Sequence, residues 1–196
     1  MKYNISGVIL AGGEGKRLGD KPKTEIIIGG RKIISRMLDV IRDIFNDIII
    51  VTNSPERYSE FENYRIIGDI YSGSGPLGGI HAAMKASEKE ALFVFAGDMP
   101  FLNKDLIIRQ IEKYTGSNMS AMVPVLNELE EPLHAIYKNS LAGEIEKILK
   151  GSTNPIMKDF LEKIRTGHLE LQPSLEIMKA FTNINTSSDI EGAELL

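Results

Sequence analysis

Three stretches of this 196-residue chain are almost continuously apolar and rich in β-branched residues: 5–10 (ISGVIL), 47–52 (DIIIVT) and 91–96 (ALFVFA). A strand with one face in water alternates polar and apolar residues. A strand buried on both faces does not, and such unbroken runs belong to parallel sheets covered by helices on both sides. The intervals carry helical spacing. Ile34, Met37, Leu38, Ile41 and Phe45 mark an amphipathic helix over 33–45. A second helix is expected over 76–87, with Pro76 in its first turn. A third is expected over 103–114, with Asn103 as its cap. Residues 64–67 (YRII) read as a further short strand. Strand and helix in alternation predict an α/β domain with a mostly parallel sheet and right-handed crossovers.

The second half is less regular. Residues 120–126 and 132–137 read as strands around a polar loop, 127–131, short enough for an antiparallel hairpin. Helices are expected over 141–150 and 155–164, short strands over 168–171 and 181–184, and a last helix from Ser187 with Asp189 and Glu191 in its first turn. No repeat, linker or low-complexity segment divides the chain, so 1–196 is expected to be one domain.

A net charge of −4 argues against a general nucleic-acid binder, which carries a basic field. The absence of cysteine removes disulfides, thiolate metal sites and cysteine nucleophiles. No stretch approaches the roughly 20 apolar residues of a membrane span. A soluble, cytoplasmic protein without membrane or nucleic-acid partners is expected, with a monomer as the default.

The first strand runs into VILAGGEGKRLGDKPK, residues 8–23. A P-loop needs Ser or Thr after its lysine, and Arg17 stands there. The dinucleotide fingerprint needs tighter glycine spacing and an immediate helix, and Pro22 intervenes. What remains is a strand, a glycine turn and cations. Glycines 12, 13 and 15 let backbone approach an anion; Arg17 can fork two phosphate oxygens; Lys21 and Lys23 are point charges. Two carboxylates close other strands: Asp69 follows 64–67, and Asp98 follows 91–96. In an open α/β sheet ligands bind beyond the carboxyl ends of the strands. A glycine cradle beside carboxylates suits a magnesium–nucleotide complex. The three histidines, His81, His134 and His168, lack ligand spacing and read as structural or surface residues.

These motifs resemble the molybdenum cofactor guanylyltransferases, within the wider nucleotide-diphospho-sugar transferase-like fold, a Rossmann-like three-layer domain with a mixed, mostly parallel sheet. The resemblance rests on LAGG (10–13) with Arg17, Gly19 and Lys23; GPLGG (75–79); GDMPFL (97–102); EPLHAIY (131–137); and FTNINT (181–186). Their order spans nearly the whole chain. It implies a nucleotide-binding half over about 1–102 and a cofactor-binding half over about 103–196. It implies magnesium-dependent transfer of GMP from GTP to Mo-molybdopterin, giving the guanine dinucleotide cofactor and pyrophosphate, with transient contacts to other molybdenum-cofactor biosynthesis proteins. Leu10, Ala11 and Gly12 would line the guanine and ribose side. Gly13, Gly15, Arg17 and Lys23 would hold the triphosphate, with Arg17 and Lys23 assisting catalysis. Asp98 would bind the metal and act in catalysis, Asp69 would touch the nucleotide, and Gly75 would allow close approach near the base. Asn183 and Asn185 are candidates for the metal or cofactor-phosphate site.

Relatives that use CTP resemble Leu-Ala-Ala-Gly where this chain has Leu-Ala-Gly-Gly, so Gly12 favours a purine. Lys21 and Lys23 compete for the family's lysine; counting back from Gly29-Gly30-Arg31 favours Lys23. Two departures stand out. Gly97 occupies a position where relatives often carry cysteine, a change expected to be harmless to metal binding. The arginine that relatives place near 152–155 is missing, which leaves the acceptor open. Alternatives are a nucleotidyltransferase for another acceptor, either CTP-dependent or of the sugar-phosphate type, and a guanine-nucleotide-binding regulatory protein without turnover.

Overall fold

In the computed structural model, which describes residues 3–12, 22–152 and 155–195, the apolar runs become the centre of a large sheet. Its strands are β1 (Ile5–Leu10), β4 (Ile48–Val51), β5 (Arg65–Ile67), β6 (Ala91–Ala96), β7 (Ala121–Leu126), β8 (Leu129–Glu130), β9 (His134–Lys138) and β10 (Thr166–Leu171). The order is β10-β7-β9-β6-β1-β4-β5, with β8 paired to β7. Two further short strands, β2 (Ile27–Ile28) and β3 (Arg31–Lys32), form a separate hairpin. β1, β4, β5 and β6 run parallel, as the unbroken apolar runs require. β9 enters antiparallel between β6 and β7, so the expected hairpin of 120–126 and 132–137 forms and also extends the sheet.

Helices α1 (Ile33–Ile41) and α3 (Lys104–Thr115) cover one face. They bury Ile34, Met37, Ile107 and Ile111 against Ile9, Ile50, Phe93 and Phe95. Helices α2 (Gly75–Ala86), α4 (Ala142–Gly151) and α5 (Met157–Leu161) cover the other. There Ile80, Ile145 and Phe160 meet Val8, Ile49 and Val94. Neighbouring residues of one strand thus serve opposite cores, and this period-2 split makes three layers from a single sheet. Asn103 caps α3, its Oδ1 accepting from Leu106 N–H at 2.8 Å.

Three elements differ from expectation. α1 stops at Ile41, and turns carry Ile44 and Phe45 into the core beyond it. The helix expected over 155–164 shortens to α5. Residues 181–184 are not a strand. They leave a short helix, α6 (Leu175–Ala180), and cross the carboxyl edge of the sheet, where Ile184 N–H bonds Asp98 C=O at 3.0 Å. The last described helix, α7 (Ser187–Glu194), has the expected acidic start, with a capping box formed by Thr186 and Asp189.

Candidate active site

The four parallel strands end in register. Leu10 lies opposite both Val51 and Ala96, and Val51 lies opposite Ile67. Two residues beyond each of these ends stand Gly12, Asn53, Asp69 and Asp98. Equal offsets from aligned ends place all four along one rim. That rim borders a cleft of about 690 Å³, also lined by Lys23, Gly75 and Leu133. The crevice beyond the carboxyl ends is where open α/β sheets bind ligands.

At the Asp98 end the charges converge. Lys23 Nζ donates to Asp98 Oδ2 at 2.8 Å and to Asn185 Oδ1. Lys23 and Asp98 keep 24% and 17% of their side-chain exposure, so the pair is accessible from the cleft. Asn185 is delivered by the cap of α7. Asp189 Oδ2 accepts from the backbone N–H groups of Asn185 and Thr186, both at 2.8 Å. Those backbone bonds hold the Asp189 carboxyl below its usual range. Asn183 is exposed, and no side-chain hydrogen bond draws it to this cluster. Of the two lysines, the structure brings Lys23 to Asp98. Lys21 lies outside the described residues, as do Gly13, Gly15 and Arg17.

The oxygen donors of Asp98 and Asn185 fit magnesium, a hard cation that takes one or two carboxylates and completes its shell with water and substrate phosphate. Among the described residues no group of three His, Cys, Asp or Glu side chains could hold a metal unaided. A site that completes itself with phosphate oxygens needs no such group.

At the other end, Asn53 clamps Asp69. Its Oδ1 accepts from Asp69 N–H and its Nδ2 donates to Asp69 Oδ2, both at 2.9 Å. Sequence reasoning missed Asn53, although its offset from the strand end matches that of the other three. α2 opens beside it on Gly75, whose φ of +59° few other residues tolerate. Among the described residues a Cβ built at Gly12 meets nothing within 4 Å. Gly97 is the opposite. A Cβ there would lie 2.6 Å from Leu10 O and 2.6 Å from Thr24 Cγ2. Any side chain at 97 would therefore require Leu10 or Thr24 to shift in this chain.

The histidines stand apart from the cleft. His168 pairs with Glu130 on the surface. His81 and His134 are buried, and among the described residues no hydrogen bond reaches either ring nitrogen, the Glu146 carboxylate lying 3.8 Å from His81 Nε2. Burial pushes both pKa values down, that of His134 to about 4. Glu131, two residues from Leu133, is half-buried, and burial raises its pKa.

Comparison with known proteins gives this geometry a family. The chain is 34% identical over 194 residues to the probable molybdenum cofactor guanylyltransferase of Peptoclostridium acidaminophilum, covering 94% of this chain and 86% of that protein. It is 32% identical to the molybdenum cofactor guanylyltransferase of Desulfosudis oleivorans, covering 97% and 94%. Among solved structures it resembles molybdopterin-guanine dinucleotide biosynthesis protein A from Archaeoglobus fulgidus, with a TM-score of 0.84, 27% identity and 97% of each chain covered. Residues 7–167 match the MobA-like NTP transferase domain, and the chain belongs to that family.

Proposed function

We propose that this protein transfers GMP from GTP to Mo-molybdopterin, forming the guanine dinucleotide cofactor and releasing pyrophosphate. The observation that carries this reading is a cleft with the clamped Asp69 carboxylate at one end, Lys23 and Asp98 at the other with Asn185 bonded to Lys23, and Gly12 on the rim between them. A nucleoside triphosphate has the same polarity: uncharged base and ribose, then a string of anions.

The nucleoside lies toward Gly12, Asn53 and Asp69, and the triphosphate toward Lys23. An oxygen of the acceptor's terminal phosphate attacks the α-phosphorus. The α–β anhydride bond breaks, and pyrophosphate leaves with the bonding electron pair. Lys23 neutralises charge on the departing group, and Arg17 is assigned the same task from the family resemblance. Asp98 and Asn185 would hold magnesium, which when bound supplies charge neutralisation of the phosphate oxygens. The protein residues bind, align and neutralise, so no covalent intermediate with the chain is required.

The transfer assay offers GTP, CTP and ATP separately with molybdate-loaded molybdopterin and magnesium. Dinucleotide and pyrophosphate from GTP are expected. Product from CTP instead would overturn the base assignment and leave the phosphate end standing. No product with bound GTP would favour another acceptor or a non-catalytic binder. Because a methyl at position 12 meets nothing within 4 Å among the described residues, Gly12→Ala is expected to fold normally and shift preference from GTP toward CTP. Ratios of kcat/KM for the two nucleotides check this, and an unchanged ratio removes Gly12 from base selection. Asn53→Ala frees Asp69 and should raise KM for GTP roughly tenfold, the equivalent of one hydrogen bond to a charged group. If KM does not move, Asp69 is not a nucleoside contact.

A further inference from the structure

Tyr58 lies outside every motif in the sequence, yet its hydroxyl joins two cleft-forming segments. It sits in the 3-10 turn Pro55–Phe61 that follows β4, at a residue whose φ and ψ (−112°, 20°) break the helical run. The ring is fully buried in the α1 core. Its Oη lies 2.6 Å from Thr24 Oγ1 and donates to Ala11 C=O at 3.2 Å. A phenol has one proton. With that proton on Ala11, Thr24 must donate to Tyr58. Burial raises the phenol's pKa, so the donor is retained.

Ala11 and Thr24 are the chain neighbours of Gly12 and Lys23. The peptide joining Ala11 to Gly12 is trans, since the described residues contain no cis bond. In a trans peptide C=O and N–H point in opposite directions. Turning Ala11 C=O inward onto Tyr58 therefore turns Gly12 N–H away from the core, on the side where Gly12 borders the cleft. The opposite edge of Ala11 is also held, its N–H bonding Val51 C=O at 2.8 Å. Thr24 is fixed on two sides: its hydroxyl on Tyr58, and its methyl in the space that Gly97 leaves open, one residue before Asp98. We infer that Tyr58 is a positioning residue for nucleotide binding, whose hydroxyl aims the Gly12 N–H at the ligand and sets Lys23 against Asp98. This rests on reading the cleft as a nucleoside-triphosphate site.

Tyr58→Phe removes one oxygen and keeps the ring in its core. The dissociation constant for GTP, by titration calorimetry on the full chain, and KM for GTP are both expected to rise about tenfold, with KM for the acceptor unchanged. Thr24→Val keeps the methyl contact without the hydroxyl and should reproduce the defect. Thr24→Ser keeps the hydroxyl and should restore affinity. If the two hydroxyls act as one unit, Tyr58→Phe with Thr24→Val will be no more than about twofold worse than Tyr58→Phe alone. Should Tyr58→Phe fold poorly, the Val and Ser pair at 24 decides by itself. A merely structural role would lower the melting temperature and leave the GTP constant alone, and that result overturns the inference. So does a Tyr58→Phe constant within twofold of wild type. GTP, CTP and ATP are titrated on wild type first. If a triphosphate other than GTP binds best, only the guanine assignment falls, and the variants are scored on that ligand. If none binds, both readings fall.

Discussion

Alanine at position 98 is expected to lower the rate of GMP transfer by about 10²–10³-fold while GTP still binds. Asp98 joins three parts of the site. Its side chain holds Lys23, its backbone C=O receives Ile184 N–H and so anchors the segment that carries Asn185, and under the proposed reading its carboxylate would serve the metal. The alanine variant keeps the backbone anchor and removes the charge. Lys23 then loses its carboxylate partner and keeps Asn185, and a bound divalent cation would lose the carboxylate that this cluster offers it. Asp98→Asn separates shape from charge: it preserves an oxygen near Lys23 without the negative charge. Both variants should fail in single-turnover assays of pyrophosphate release, with GTP binding by equilibrium dialysis weakened far less than the rate. Wild-type turnover in Asp98→Asn would sink the metal assignment, and equal loss of binding and rate would make Asp98 a nucleotide ligand only.

The second large effect concerns stability. His134 is fully buried between Phe93, Phe95 and Phe181, with ring centroids 5.2, 5.3 and 5.1 Å away. Among the described residues neither ring nitrogen has a hydrogen-bond partner, and burial holds the pKa at about 4 against 6.5 for an unfolded chain. The sign follows from proton counting. Above pH 6.5 neither state binds the proton, and stability is complete. As pH falls below 6.5 the unfolded chain protonates and the native state does not, so stability declines until about pH 4, where the native imidazole begins to titrate. The interval amounts to about 3 kcal/mol. For a chain of this size that is roughly 6–12 °C in melting temperature. His81, also lowered by burial, adds in the same direction. Comparison of wild type with His134→Phe isolates the His134 share. The phenylalanine variant should melt at or above the wild-type temperature at pH 7.5 and lose several degrees less on acidification to pH 4.5. Parallel curves would show that His134 does not drive the acid sensitivity.

The central strands were legible because burial on both faces leaves one unambiguous trace, an unbroken apolar run. β1 and β6 match the expected boundaries residue for residue. The cap of α3 was legible for a local reason, since Asn103 satisfies an N–H three residues ahead. α6 was not, because it has little apolar face to bury: Leu175 and Met178 lie in solvent, so no periodic signal reaches the sequence. Residues 181–184 imitate a strand because Phe181 and Ile184 are buried, but they are buried across the end of the sheet rather than within it. Asp69 and Asp98 were found as carboxylates at strand ends. Asn53 escaped because a lone asparagine after a strand is ordinary turn chemistry. Only the common register of four strand ends makes its position informative. Tyr58 escaped for a deeper reason: its hydroxyl acts on a backbone carbonyl 47 residues away, and no local pattern encodes that.

The cap of α7 also bears on how the chain is made. Gly12, Asn53, Asp69 and Asp98 all belong to the first hundred residues, on strands that pair with one another. Asn185 is set in place by Asp189, far later in the chain than any of these. Synthesis is vectorial, so the N-terminal parts of a domain leave the ribosome first. The nucleoside end of the cleft therefore has all its parts, and the phosphate end has Lys23 and Asp98, long before Asn185 is made. Until residues 134–138 arrive to pair with β6, that strand is also an open edge, the part of the nascent chain most exposed to mispairing. Translation thus supplies the cap that sets Asn185 well after the rest of the cleft, and a chain truncated before Asp189 would retain the parts for holding a nucleoside but lack the cap that places Asn185.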